Sequence, residues 1–388
     1  MDVIILAGGL GTRLRSVVKD VPKCMAPVAG KPFLWYLLHQ LSNYNVGKVV
    51  LSVGYLREVI MEWIDKGEYR WPFDIDYAIE EEPLGTGGGI RLATKKCESD
   101  DILILNGDTF FNIDLSAMLS THRKNGKTMT IGLKPMKNFS RYGNVRTENG
   151  VVKEFKEKEP CKEGDINGGV YIISKKKLNI DNLPKKFSFE TEVLQPLAAK
   201  DEIQAQVSRE YFIDIGIPED YETADNTFGK MFTPIDQLDL SKYDTILVDR
   251  DGTLNTHILD GYVTKPCELT MLQNTETAIA KWKSEGKTVI IITNQRGVGK
   301  GVMTQADLQA VHESLKEKVE KRGGKIDAIY TSTGLDSSDK TRKPNTGMMD
   351  MVMRDFPQTR KEKTVMIGDG ETDMQFAENA GIDGIRIY

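Results

Sequence analysis

No apolar run in this chain approaches the ~20 residues that a helix needs to cross a bilayer, so a transmembrane helix is excluded by sequence, and the mean hydropathy is -0.37. An excess of basic charge is also missing. Lys and Arg number 52 against 57 Asp and Glu, a net charge of -5, and the cations are dispersed, which leaves no electrostatic footprint for DNA or RNA. Cysteine is scarce: Cys24, Cys97, Cys161 and Cys267 stand far apart, and none has a Cys or His nearby at metal-ligand spacing, so reduced thiols are expected and a structural zinc is not. The opening "MDVIILAGG" has no basic start and runs from apolar residues straight into a glycine turn. It reads as a first strand, not a leader, and a cytoplasmic location is expected.

At 388 residues the chain exceeds what one hydrophobic core supports, and two domains of roughly 100 to 250 residues each are expected. Its apolar, β-branched stretches end repeatedly in small or polar residues: "VIILAGG", "VVLSVG", "ILILNGD" and "VYIIS" come first, then "TILVDRDG", "TVIIITN" and "VMIGD". Short continuous runs separated by helical sequence predict buried parallel strands, and hence an α/β fold in both halves. In open parallel sheets ligands sit beyond the carboxyl ends of the strands, where these Gly and Asp residues fall. The segment "MFTPIDQLDLSK" lacks a period and carries a Pro, which places the domains at residues 1–228 and 241–388. Further on, "TQADLQAVHESLKEKVEKRGG" predicts a helix capped by Thr304 with Asp307 and closed by Gly323 and Gly324, its charges forming a solvated face.

In "LAGGLGTRL" the glycines Gly8, Gly9 and Gly11 let backbone N–H groups approach an anion, and Arg13 adds charge. Lys23 follows behind Pro22, "EEEPLGTGGGI" supplies a second glycine-rich loop, and Asp108 and Asp214 end short apolar runs where carboxylates can coordinate Mg2+. These segments resemble the nucleoside-diphosphate-sugar pyrophosphorylase family, whose Gly-Gly-x-Gly-Thr-Arg loop and later Pro-Lys stand here as Gly8 to Arg13 and Pro22-Lys23. The resemblance implies a Rossmann-like nucleotidylyltransferase: a sugar-1-phosphate oxygen attacks the α-phosphorus of a nucleoside triphosphate and pyrophosphate leaves. By that likeness Arg13 and Lys23 stabilise the leaving charge, and Leu6, Ala7, Gly8, Gly9, Gly11, Thr12, Glu80, Gly85 and Thr86 hold the nucleotide. Asp108 and Asp214 hold Mg2+, and Gly143, Glu157, Lys158, Asn167 and Gly168 line the sugar-phosphate pocket. In "FKEKEP" Glu159 separates Lys158 from Pro160, a departure from the family's Glu-Lys-Pro. Within the family the chain is most similar to the branch that makes GDP-heptose from GTP and D-glycero-α-D-manno-heptose 1-phosphate. Glu80 then stands where a carboxylate can accept from guanine's N1–H and N2–H2 edge. Members of the family often associate, so a homo-oligomer is open.

"VDRDGTLN" carries Asp249 and Asp251 at a strand end, with Gly252 letting the chain curl around one phosphate. Thr293 and Asn294 end "TVIIITN", Lys343 lies in "TRKPNTG", and Asp369 and Asp373 follow in "VMIGDGETD". This ordered set resembles the haloacid dehalogenase superfamily, and the details "DGYV" and "RKPNTGM" are similar to its histidinol-phosphate and heptose-bisphosphate phosphatase branch, which has a minimal cap. The likeness implies that Asp249 forms an aspartyl phosphate and that Asp251 protonates the leaving alcohol and then activates water. It further implies that Thr293 and Lys343 hold phosphoryl oxygens, that Asn294 and Arg342 meet substrate, and that Asp249, Asp369 and the Asp251 carbonyl hold Mg2+. His257 reads as a surface residue. The branch often carries a zinc loop before Arg-Lys-Pro; here "YTSTGLDSSDKTRKP" has no ligand for it, so that loop must be shorter or held otherwise.

The two likenesses together imply an enzyme that dephosphorylates D-glycero-α-D-manno-heptose 1,7-bisphosphate at position 7 and then joins the 1-phosphate to GTP. The same chemistries on another sugar or base, as in GDP-mannose synthesis, or one catalytically silent regulatory domain, are the alternatives.

Overall fold

Side-chain alternation explains the strands of the second half. In Thr245–Val248, Ile246 and Val248 enter one core with Trp282, Val311 and Leu315, while Leu247 enters another with Met348 and Phe376. A strand buried on both faces must be apolar throughout, which is why these runs are continuous. The structure is a computed structural model that describes residues 1–9, 14, 18 and 20–388, with Glu157 described in its backbone alone. It divides into two compact units, Met1–Phe228 and Gly229–Tyr388. Among the described residues no helix is long and apolar enough to cross a membrane.

The first unit is built on a nine-stranded sheet in the order Asp74–Ile79, Lys48–Val53, Asp2–Leu6, Asp101–Asn106, Cys161–Ser174, Met129–Phe139, Ile203–Val207, Val151–Lys158, Gly143–Glu148. The first four strands are mutually parallel, and Leu6 pairs with both Ser52 and Asn106, so three strands end level with one another. "VYIIS" departs from the expectation of a parallel strand. It is the end of Cys161–Ser174 and runs antiparallel to both Asp101–Asn106 and Met129–Phe139. An unbroken apolar run encodes burial on two faces and carries no information on direction.

The second unit holds a five-stranded, all-parallel sheet in the order Ala328–Ser332, Thr288–Asn294, Thr245–Val248, Thr364–Gly368, Asp383–Arg386. Thr245–Val248 is central, so Asp249 emerges between the ends of its two neighbours. The aperiodic segment before it is no bare connector: Ile235 and Leu240 are buried in the core with Ile246 and Trp282.

Helix Gln305–Glu320 begins as its capping box predicts, with Asp307 N donating to Thr304 Oγ1 at 3.1 Å and Thr304 N donating to Asp307 Oδ2 at 2.8 Å. Its inner face buries Leu308, Val311, Leu315 and also His312. Burial and the adjacent Arg250 guanidinium push the His312 imidazole down to about 4. An unfolded histidine titrates near 6.5, so between pH 6.5 and 4 the unfolded chain binds a proton that the folded chain refuses, and stability falls as pH falls through that window. Urea unfolding of the wild type should show this contribution as a loss of about 2–3 kcal/mol between pH 7 and pH 4.5, and His312→Gln should flatten the profile by that amount.

Candidate active sites

In the first unit the loops beyond the level strand ends converge. A Cβ on Gly107 would lie 2.4 Å from the Leu6 carbonyl, so only glycine lets the chain cross the end of the first strand there. Two cavities open at this edge. One of about 560 Å³ is lined by Leu6, Gly8, Gly9, Glu80, Gly85 and Thr86 among others. The second, of about 290 Å³, shares Leu6, Gly9 and Thr86 with it and adds Ala7, Lys23 and Asp108. The larger is sized for a nucleoside and the smaller is faced by charge. Gly11, Thr12 and Arg13 lie outside the described residues.

Glu80 does more than face the cavity. Its Oε1 accepts from Ser52 Oγ at 3.0 Å and its Oε2 from Leu84 N at 3.2 Å, so it also ties the glycine-rich loop to the sheet. Each oxygen keeps a second lone pair for a ligand. Gly85 adopts φ +74, and a Cβ there would meet the Phe187 carbonyl at 2.6 Å.

Asp108 and Asp214 are far apart in sequence but meet through a small sheet in which Asp214 pairs with Thr109. Lys23 bridges them, its Nζ donating to Asp108 Oδ2 at 2.5 Å and to Asp214 Oδ1 at 3.3 Å. Burial and the neighbouring Asp108 charge push the Asp214 carboxyl up, against the pull of Lys23. Two carboxylates disposed around one cation are the oxygen donors that Mg2+ selects, so these residues fit the ion. Sequence reading missed Asn106 and Gly216, which line the smaller cavity, although "ILILNGD" placed Asn106 at the strand end. Gly216 N donates to Asp214 Oδ1 at 2.8 Å and fixes that carboxylate.

The residues assigned to the sugar phosphate lie on neighbouring strands. Gly143 pairs with Lys158, and Asn144 beside it pairs with Ile166. A Cβ on Gly143 would lie 2.4 Å from the Lys156 carbonyl, and one on Gly168 2.6 Å from the Phe111 ring. Neither Gly143, Lys158, Asn167 nor Gly168 lines either cavity, and the Glu157 side chain is outside the description. Asn167 sits at an irregularity of its strand, where Nδ2 donates to Tyr171 Oη at 2.7 Å and Oδ1 accepts from Gly169 N at 3.0 Å. Its amide shapes the backbone there.

In the second unit the sheet gathers Asp249, Asp369, Asp373 and Lys343. Lys343 is 98 % buried, with its Nζ 2.8 Å from Asp249 Oδ1, 2.6 Å from Asp373 Oδ1 and 3.0 Å from the Ile292 carbonyl. Burial pushes the Asp249 carboxyl up to about 7, with Asp373 and Asp369 adding to the rise and Lys343 opposing it. Asp249, Asp369 and Asp373 offer oxygens within 4.8 Å of one another, which fits a hard divalent ion. Asp373, named from the sequence without a metal role, completes this acid cluster, and the Asp251 side chain is not part of it.

Asp251 is held by a different set. Arg250, fully buried, donates to it from Nε and Nη2 at 2.9 to 3.2 Å, Asn255 Nδ2 at 2.9 Å and Gln295 Nε2 at 2.7 Å. Burial would raise this carboxyl, but Arg250 and these hydrogen bonds outweigh it and hold the group below its ordinary value. Thr293 is buried and its Oγ1 accepts from the same Gln295 amide at 3.0 Å. Sequence reading named neither Gln295 nor Asn255, although Gln295 directly follows a strand-end pair already marked.

Asn294, His257 and Arg342 have partners that the sequence does not show. Asn294 accepts from Lys343 N at 3.0 Å and donates to Lys343 O at 3.1 Å, so its amide positions the lysine. His257 is half-buried and hydrogen-bonds Asp369 at 3.1 Å, while Thr253 donates to the other Asp369 oxygen at 2.9 Å. Gly252 has φ +84, and a Cβ there would meet His257 Nε2 at 2.1 Å. The loop before Arg342 is closed by side-chain turns, with Ser338 on Asp336, Thr341 on Asp339, and Asn345 Nδ2 on the Ser337 and Asp339 carbonyls. Arg342 donates to the Gly334 carbonyl at 3.3 Å.

These two centres, each at the carboxyl ends of parallel strands, define an α/β enzyme with a nucleotide-binding unit and a haloacid dehalogenase-like unit. The nucleotidyl transferase family model matches residues 2–230, and the chain belongs to that family. A HAD-hydrolase-like model matches residues 340–387, the stretch that carries Lys343, Asp369 and Asp373. D-glycero-α-D-manno-heptose 1-phosphate guanylyltransferase of Aneurinibacillus thermoaerophilus is 46% identical over 58% of this chain and 96% of its own length. HddC from Yersinia pseudotuberculosis, solved in complex with GMP-PN, is 38% identical over 58% of this chain and 99% of that one, with a TM-score of 0.54. D,D-heptose 1,7-bisphosphate phosphatase from B. bronchiseptica, solved with magnesium and phosphate, is 32% identical over 36% of this chain and 78% of that one, with a TM-score of 0.35.

Proposed function

We propose that the second unit removes the 7-phosphate of D-glycero-α-D-manno-heptose 1,7-bisphosphate and that the first unit joins the resulting 1-phosphate to GTP, giving GDP-heptose and pyrophosphate. The order follows from the chemistry, because the phosphatase product keeps the anomeric phosphate that the transferase consumes. The observation that carries the reading is the coexistence on one chain of a nucleotide cavity beside the Lys23–Asp108–Asp214 cluster and an acid cluster around Lys343.

In the phosphatase unit, Asp249 attacks phosphorus, forming an acyl phosphate while the C7 oxygen leaves with a proton from Asp251. Asp251 then takes a proton from the water that cleaves the acyl phosphate and releases inorganic phosphate. Its hydrogen bonds favour the carboxylate, the form that activates water. A phosphate dianion beside it raises its proton affinity and prepares the acid form. Lys343 and Thr293 hold phosphoryl oxygens. In the transferase unit the sugar phosphate is itself the nucleophile, so the chain's residues position and neutralise: Lys23 faces the pyrophosphate, Arg13 of the glycine-rich motif adds charge to offset it, and Glu80 faces the base. Asp108 and Asp214 in one unit, and Asp249 and Asp369 in the other, would hold Mg2+, which when bound offsets negative charge on phosphate oxygens.

Incubating the chain with heptose 1,7-bisphosphate and, in parallel, GTP, ATP, CTP or dTTP, with products identified by mass, tests the whole reading. GDP-heptose, phosphate and pyrophosphate are expected, with GTP preferred. Equal use of the four nucleotides would remove the guanine assignment, and turnover of hexose phosphates alone would move the substrate to another sugar.

A further inference from the structure

The groups that hold Asp251 are themselves held from behind. Arg250 is fully buried and joins Asp251 to helix Gln305–Glu320, whose inner face carries His312, 62 residues further along the chain. Its Nη1 donates to His312 Nε2 at 3.2 Å, its Nε and Nη2 donate to Asp251, and Nη2 also donates to Gln295 Oε1 at 2.9 Å. A guanidinium has donors and no acceptor, so His312 Nε2 is the accepting nitrogen and the imidazole is neutral, with its proton on Nδ1. Burial and the same guanidinium favour that neutral form. The imidazole is placed by its helix, which sends Val311 and Leu315 into the core with Ile246 and Trp282.

A buried guanidinium that lost the acceptor of its outer N–H would turn to find another, because an unpaired charged donor is costly away from solvent. Turning would loosen the grip on both Asp251 oxygens. It would also free the Gln295 amide, whose Nε2 is shared between Asp251 Oδ2 at 2.7 Å and Thr293 Oγ1 at 3.0 Å. A fork that holds both oxygens of a carboxylate fixes its plane, and the plane decides whether its proton points at the leaving oxygen. His312 is buried and acts through Arg250, so its effect falls on the proton transfer and not on how the sugar is held.

We propose that His312 is a positioning residue of the phosphatase reaction: by accepting from Arg250 it holds the guanidinium fork that aligns Asp251 to protonate the leaving alcohol. The inference rests on the phosphatase reading of the Asp249 centre. The test compares kcat/KM of the full chain for heptose 1,7-bisphosphate and for its analogue with sulfur in place of the bridging 7-oxygen. The two share the sugar and both phosphates, but a thiolate leaves without a proton, whereas an alkoxide needs one. Because kcat/KM ends with departure of the leaving group, the later attack of water does not enter it. His312→Leu removes the acceptor and lowers kcat/KM for the oxygen ester about 10- to 100-fold more than for the sulfur ester, part of the roughly 10²- to 10⁴-fold that a positioned general acid contributes. His312→Gln supplies an accepting amide oxygen in place of Nε2 and restores most of that difference. A folding defect lowers both constants alike, so the ratio isolates the alignment. Equal losses on the two esters in His312→Leu, no loss on either, or a ratio that His312→Gln does not restore overturns the positioning role and leaves the phosphatase reading standing. No phosphate release from the oxygen ester by the wild-type chain overturns the phosphatase reading and the positioning role with it.

Discussion

Asp249→Asn should abolish phosphate release, by at least about 10³-fold in kcat, because a carboxamide cannot form the acyl phosphate. Pyrophosphate release from GTP and heptose 1-phosphate should be unchanged. The substitution is nearly isosteric, and the structure argues that it is tolerated. Asp249 is half-buried, its carboxyl is raised to about 7, and Asp373 and Asp369 oppose its charge. A neutral amide relieves that opposition, and Lys343 keeps Asp373 at 2.6 Å as its partner. The thermal midpoint of the variant should therefore not fall. Phosphate release that survived in folded protein would assign the nucleophile to another group, and loss of both activities would show that the two centres do not act independently.

The acid pair itself was legible in "VDRDGTLN" because a turn glycine after an apolar run is a local pattern. What surrounds it was not, since hydrogen bonding between distant segments leaves no periodic trace. Arg250, flanked by acids and given no role from sequence, is fully buried and bonds Asp251, Gln295 and His312. Gln295 joins Asp251 to Thr293 through one amide, a role visible only when two strand ends lie side by side. Asp373 had a readable signal, an acid in the first turn of helix Glu371–Ala380 just beyond the strand-end Asp369. The fold divides in the same way. Parallel strands at the first sheet's centre declare themselves by unbroken apolar runs, whereas Gly143–Glu148 and Val151–Lys158 carry mostly polar residues and take their place from pairing alone.

In the first unit the largest effect is expected from Lys23→Met, which keeps much of the stem and removes the charge. Lys23 Nζ is the cation that Asp108 and Asp214 share, at 2.5 and 3.3 Å. Without it, two carboxylates face each other with less compensation, and the Asp214 carboxyl, already raised by burial and Asp108, rises further. Two consequences have opposite signs. The rate of pyrophosphate release should fall about 10²- to 10³-fold, the usual loss when one group that stabilises developing oxyanion charge is removed. The Mg2+ concentration for half-maximal residual activity should fall as well, because an ammonium no longer competes with the ion for the same oxygens. Asp108→Asn should also slow pyrophosphate release, but it removes a donor oxygen, so the Mg2+ requirement of its residual activity should rise. An unchanged circular-dichroism melting curve reports folded protein in both variants, and phosphate release by the second unit should persist. A Mg2+ requirement that rose in Lys23→Met would mean that the lysine supports the ion's site by holding Asp108 and Asp214 in place and does not compete for it.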